Sequence, residues 1–147
     1  ALMEARKFTP ENFRDFHPGG KLGAQLSKVA DLMHDDVPLV TADTPMSDVL
    51  LTMSQKGFGV VGVPGDDTHL ACIIPDGDLR RNMQGLLDMN AGEVMTADPT
   101  IIAPTALAER AVHVMENRQI TCLFVVNDDN SIAGILKIHD CLRAGVV

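Results

Sequence analysis

The chain has no tryptophan and no tyrosine, and its five phenylalanines bring the aromatic share to only 3%. The usual platforms for stacking single-stranded bases are therefore missing. Basic residues are scarce as well: 12 Lys and Arg against 20 Asp and Glu leave a net charge of −8. A binder of phosphate backbones gathers Lys and Arg on one face, so nucleic acid is not an expected partner. Cysteine is confined to Cys72, Cys122 and Cys141, an odd number with no C-x-x-C spacing. Each lies in an apolar run and reads as a reduced, buried small hydrophobe, a usage that points to the cytoplasm. No apolar run approaches the roughly 20 residues of a bilayer span, so no membrane is expected. Glu4 interrupts residues 1–8, which do not read as a signal peptide. Metal is not expected either. His34-Asp35-Asp36 and His139-Asp140 contain ligand types without a recognised ligand spacing, and His17, His69 and His113 are scattered. No glycine-rich phosphate loop is present, Pro18-Gly19-Gly20 reads as a hinge, and no cofactor is expected.

What the chain does have is apolar content, 46% of 147 residues. That is enough for a compact core without disulfide or metal staples. It also has an internal repeat, which organises everything else. Shifted by 62 positions, the sequence aligns with itself without a gap from Asp31 to Arg81. Identities fall at Met33 and Met95, Asp36 and Asp98, Met53 and Met115, Val63 and Val125, and Asp66-Asp67 and Asp128-Asp129. They continue at Ala71 and Ala133, Ile73 and Ile135, Asp78 and Asp140, and Arg81 and Arg143.

Each copy carries the same order of elements. A short helical turn (29–33; 92–95) leads to a brief strand (38–40; 100–102). A helix follows, with Thr44 as its cap and Pro45 at its first position in copy one, and opening at Thr105 in copy two. Val49, Leu50 and Met53 line one face of the first helix; Ala108, Ala111, Val112 and Met115 line the second at helical spacing. Continuous apolar runs at 60–63 and 122–126 read as buried strands. Asp66-Asp67-Thr68 and Asn127-Asp128-Asp129-Asn130 are turn chemistry joining them to hairpin partners at 70–74 and 132–136. A last helix starts at Asp76-Gly77-Asp78 and near His139-Asp140. One β-α-β-β-α unit leaves an apolar sheet face uncovered. Two units around a pseudo-twofold axis can close a core, and the cleft between their sheets is a natural ligand site. The expected class is α/β (α+β), with repeats at 29–85 and 91–147.

This order and period resemble the CBS domain pair, or Bateman module. Ile73-Ile74-Pro75-Asp76-Gly77-Asp78-Leu79-Arg80-Arg81 resembles the family's closing stretch, in which a hydroxyl residue precedes an Asp by three. Asp78 and Asp140 match that Asp, which in the family commonly bonds a ribose diol. The hydroxyl position departs from the pattern, being Pro75 in one copy and Lys137 in the other. Further motifs resemble the KpsF/GutQ family of arabinose-5-phosphate isomerases. They are the linker Phe16-His17-Pro18-Gly19-Gly20-Lys21-Leu22-Gly23 and the ending His139-Asp140-Cys141-Leu142-Arg143-Ala144-Gly145-Val146-Val147. The resemblance implies that 1–28 are the end of a sugar-isomerase domain and its linker, and that the chain is a piece of a longer enzyme. That enzyme would interconvert ribulose 5-phosphate and arabinose 5-phosphate for the lipopolysaccharide sugar Kdo. This stretch alone would not be active.

Candidate site residues each carry two readings. His17 is implied by the resemblance as an acid/base group in the full-length enzyme; otherwise it is a loop histidine before a turn. Asp78 and Asp140 either contact a ligand diol or serve the start of the last helix, where negative charge suits the dipole. Arg80, Arg81 and Arg143 form a solvated helix face, or neutralise an anion at the cleft. Lys137 and His139 flank Asp140 and could do the same, and Thr121 could offer its hydroxyl to a base or sugar. The expected partners are a nucleotide or nucleotide-sugar and the chain's own sugar-isomerase domain. Assembly as a homodimer or homotetramer, with an empty cleft, is the competing role.

Overall fold

The computed structural model describes residues 26–65 and 69–146. His17 and the turn at Asp66-Asp67-Thr68 lie outside the described residues. In the first repeat, helix α1 spans Val29–Leu32, α2 Met46–Lys56, β1 Val60–Pro64, β2 Leu70–Pro75 and α3 Asp76–Arg81. A 3-10 turn at Leu86–Asp88 leads into the second repeat. That repeat contains α4 (Ala91–Val94), β3 (Thr96–Ala97), β4 (Ile101–Ile102), α5 (Ala108–Arg118), β5 (Cys122–Val126), β6 (Ile132–Lys137) and α6 (Ile138–Arg143). No described helix is long and apolar enough to cross a membrane.

The amphipathic helices form on the expected faces. Met46, Val49 and Met53 of α2 are buried, as are Ala108, Ala111, Val112 and Met115 of α5. Both helices start later than the sequence suggested. Pro45 occupies the N-cap of α2 and Leu107 that of α5, neither with a side-chain cap bond. Thr44 instead accepts a hydrogen bond from the Thr41 backbone N–H at 3.1 Å, so it closes the preceding turn and does not cap the helix. Gly57 ends α2 in the left-handed region at φ 74°, and its N–H donates to the Met53 carbonyl at 2.9 Å. Gln119, 62 positions on, holds the same conformation at φ 57° without glycine's freedom.

The two hairpins repeat each other residue for residue. Val60 pairs with Pro75 and Val63 with Cys72; Cys122 pairs with Lys137 and Val125 with Gly134. The register slips at the same place in both, after Val63 and after Val125. The brief strand expected at 38–40 is reduced to a single parallel bridge, Leu39 to Gly62, whereas its counterpart β4 pairs with β5 over two residues.

The repeats exchange their leading segments. The backbone N–H of Val29 donates to the Ala106 carbonyl at 2.8 Å, and that of Ala91 to the Thr44 carbonyl at 2.8 Å. His34 bridges to Ile135 of β6, and β3 pairs with β2 through Thr96 and Ile73. Val29 is buried among Met115, Leu123 and Leu136 of repeat 2, while Ala91 and Val94 are buried among Met46, Met53 and Ile74 of repeat 1. The segment that opens each copy in sequence therefore completes the core of the other in space. A third apolar cluster joins Phe58 and Val60 to Phe124 and Ile135 across the seam.

Candidate functional site

The sheets meet along this seam, and the β2–α3 and β6–α6 turns flank it. At the first turn the carboxylate of Asp78 is buried, with 2% of the residue exposed. One of its oxygens accepts from the Arg81 guanidinium and the other from the Thr96 hydroxyl at 2.5 Å. At the second turn Asp140 meets the Arg143 guanidinium with one oxygen and His34 Nε2 with the other, at 2.5 Å. Thr96 and His34 are themselves 62 positions apart and sit on the exchanged segments. Each repeated Asp thus clasps the arm of the other repeat.

Burial pulls the Asp140 carboxyl upward, but the hydrogen bonds from His34 and Arg143 and their charges outweigh it. The net effect holds Asp140 below the usual carboxylate range. A group with a depressed folded pKa contributes stability above its unfolded value, about 3.9 for Asp, and loses it as pH falls through the folded value. Urea denaturation from pH 5 downward should therefore show stability falling below about pH 4. Asp140→Asn should flatten that part of the profile, and an unchanged acid limb would rule the clasp out as its source.

Between the repeats on the α3 side lies a cavity of about 360 Å³. Pro75, Arg80 and Arg81 form one wall, and Thr100, Gln119, Ile120, Thr121 and Cys122 form the other. Phe58, Val60 and Phe124 supply its apolar surface. The left-handed backbone at Gln119 keeps a side chain at this wall where repeat 1 has a glycine. Arg81 is already paired with Asp78, so the guanidinium of Arg80, beside Asp76, is the group here that suits an anion, and the hydroxyls of Thr100 and Thr121 suit a sugar or phosphate. Cys122 donates its thiol to the Phe58 carbonyl at 3.1 Å. Burial pushes that thiol's pKa up, with the Thr121 hydrogen bond and the Lys137 charge opposing. Cys141 is fully buried, and burial with the nearby Asp140 charge pushes it to about 11. Both thiols stay protonated and unreactive near neutral pH.

Of the eight residues the sequence offered as ligand contacts, Arg80, Arg81 and Thr121 line this cavity, while Arg143 is paired with Asp140 at the other turn. Asp78 is engaged with Thr96 and Arg81, and Asp140 belongs to the other turn. Lys137 places its ammonium 5.4 Å from the centroid of the Phe58 ring, and His139 is exposed on α6. Sequence reasoning missed Thr100 and Gln119 at the cavity wall, and Thr96 and His34 at the clasps. Equivalence at 34 and 96 was detectable from the shift, but the residue types differ there and a scan for identities passes over them. Among the described residues no three His, Cys, Asp or Glu side chains converge as a metal would require.

The chain is 39% identical over 153 aligned positions to the arabinose 5-phosphate isomerase KdsD of Yersinia pestis, using all of this chain and 46% of that protein. It is 40% identical to the KdsD of Pseudomonas aeruginosa, covering 47% of it. The chain thus spans about half the length of the curated relatives it matches. Among solved structures, CBSX2 in complex with AMP superposes with a TM-score of 0.69 at 24% identity, over 82% of this chain and 96% of that one. The repeats, the clasped arms and the inter-repeat cavity fall within two stretches, 29–85 and 91–147, that each match the CBS domain model, and the chain belongs to the CBS domain family.

Proposed function

We propose that this CBS pair is the regulatory ligand-binding module of a bacterial D-arabinose-5-phosphate isomerase, taking a nucleotide or nucleotide-sugar into the cavity between its repeats. The observation that carries the reading is the cavity itself. It is a concave, largely apolar space beside Arg80 and Arg81, with the hydroxyls of Thr100 and Thr121 opposite. Such a site accepts a planar base on its apolar wall and an anionic group at its guanidinium end. A fold neighbour with AMP bound and the likeness to the KdsD isomerases support the same reading. In the full-length protein a sugar-isomerase domain would precede the pair, and His17 in the linker would serve acid/base chemistry there.

Arg80 and Thr121 are the first contacts in this reading. Arg81, Asp78, Asp140, Lys137 and His139 would join them only by leaving their present partners or by serving the second turn. A thermal-shift panel with AMP, ATP, CMP and the cytidine-activated sugar acid tests the proposal. A ligand specific for the folded state raises the melting temperature with ln(1 + [L]/Kd). We expect a selective shift, weakened roughly tenfold or more in apparent Kd by Arg80→Ala or Thr121→Val, the loss of about one charge-assisted bond. A flat panel rejects the sensing role.

A second reading, an assembly scaffold forming homodimers or homotetramers, is favoured by one observation. Leu51, Met83 and Leu87 of repeat 1 are large apolar side chains 58–66% exposed. A solution mass equal to one chain at micromolar concentration would reject it.

A further inference from the structure

Helix α5 ends on a residue type that its backbone does not favour. Gln119 closes the helix with φ at 57°, and the Ile120 N–H donates back to the Met115 carbonyl at 2.9 Å. At the end of α2 the same reversal is made by Gly57, as the left-handed region prefers. Crowding does not explain that glycine, since a Cβ at 57 would meet nothing within 4 Å. Asp98 and Asn130 are the other non-glycine residues at positive φ among the described residues. Their short polar side chains are the kind that tolerates this region, and glutamine, one methylene longer, is not. An unfavoured residue at a cavity wall points to a use for its side chain. Gln119 is exposed and lines the inter-repeat cavity on the wall that carries Ile120 and Thr121. Among the described residues its amide makes no hydrogen bond. A primary amide presents a donor and an acceptor side by side. That pair matches the amino group and neighbouring ring nitrogen of an adenine or a cytosine. Phe58 and Phe124 supply the apolar surface that a base ring needs.

We infer that Gln119 is the residue that recognises the ligand's base, bonding its polar edge through the side-chain amide. The inference rests on the ligand-binding reading above and adds to it the residue that tells one ring from another. Arg80 serves the anionic end of the ligand and Gln119 the base. Glycine would make the better helix end here, and the glutamine is retained for the ligand.

Isothermal titration of the 147-residue chain with AMP and CMP, each beside its analogue lacking the exocyclic amino group, tests it. Gln119→Leu keeps the bulk and removes the amide; Gln119→Gly removes both and relaxes the helix end. The parent chain should bind AMP or CMP roughly fivefold or more tighter than the matching analogue, the effect of about one hydrogen bond. Q119L should bind nucleotide and analogue alike, at the parent's affinity for the analogue. Q119G should show the same levelling, and without ligand it should melt about 2–4 °C above the parent. An undiminished preference for the amino-bearing nucleotide in Q119L or Q119G overturns the inference and leaves the ligand reading standing. A parent chain that binds nucleotide and analogue equally does the same. No binding of any of the four by the parent rejects the ligand reading and this inference together. Circular dichroism establishes which variants are folded. Should one not fold, the other carries the test.

Discussion

Gly134→Ala is expected to lower the melting temperature by roughly 5–10 °C. A Cβ built at this position would stand 2.5 Å from the His34 carbonyl oxygen and 2.9 Å from the Met33 sulfur. The sulfur can move, but the oxygen is backbone and accepts the Ile135 N–H at 2.9 Å. The arm of repeat 1 must therefore shift off β6, weakening the paired bonds between His34 and Ile135. Overpacking of this kind costs about 1–3 kcal/mol, and in a chain of this size each kcal/mol moves the midpoint by a few degrees. The internal control is Cys72, which occupies the same place in the first hairpin and pairs with Ala97 of β3. That position already accommodates a side chain, so Cys72→Ala should change the melting temperature by less than half as much. Equal effects at the two positions would mean that the close approach of the arm is not what Gly134 serves.

Asp78→Ala should destabilise the ligand-free chain by about 1–2 kcal/mol, the net loss of the charge-assisted hydrogen bonds that a buried carboxylate accepts from Arg81 and Thr96. Thr96 is itself exposed, so water replaces part of what its hydroxyl loses. Arg81 recovers part of its loss because its side chain is 69% exposed and can be solvated. Thr96→Val should cost somewhat less, and the double variant should show measurable coupling, the signature of a direct bond. Asp140→Ala should cost less again, because the Asp140 carboxylate is 14% exposed against 3% for Asp78 and its bonds are made nearer to water. Denaturation in urea without ligand separates the two roles considered for Asp78. A residue held in reserve for a ribose diol would leave the ligand-free midpoint unmoved. A fall in the midpoint together with measurable coupling to Thr96 makes Asp78 an arm clasp, whatever else it touches when ligand is present.

Much of this architecture is legible before any coordinates. The strands at 60–63 and 122–126 and their hairpin partners follow from apolar runs bounded by turn residues, because a strand covered on both faces needs no alternation. The faces of α2 and α5 follow from apolar spacing at three and four residues. Helix starts were less accurate. Thr44-Pro45 has the composition of a cap and first position, yet the Thr41–Thr44 turn holds Thr44 one residue too early. Such competition between local hydrogen bonds is decided by geometry that composition does not carry. At the site, Arg81 and Thr121 were within reach because their residue types announce anion and hydroxyl chemistry. Thr100 and Gln119 were not, since nothing in their neighbours distinguishes a cavity wall from a solvated loop.

By itself, the sequence determined that two copies of one unit, 62 residues apart, share a fold and bury apolar sheets against each other. Periodicity and apolar content suffice for that, because hydrophobic burial depends on which faces are apolar and not on which partner covers them. Only the tertiary structure decided that each leading segment crosses to the other repeat, and that Asp78 and Asp140 bind those crossed arms. These are relations between residues far apart in the chain, and a repeated sequence satisfies them equally well with its arms kept at home or exchanged. The choice falls to contacts of specific shape: Val29 among the helices of repeat 2, Ala91 among those of repeat 1, and a glycine at 134 thin enough to let an arm lie close.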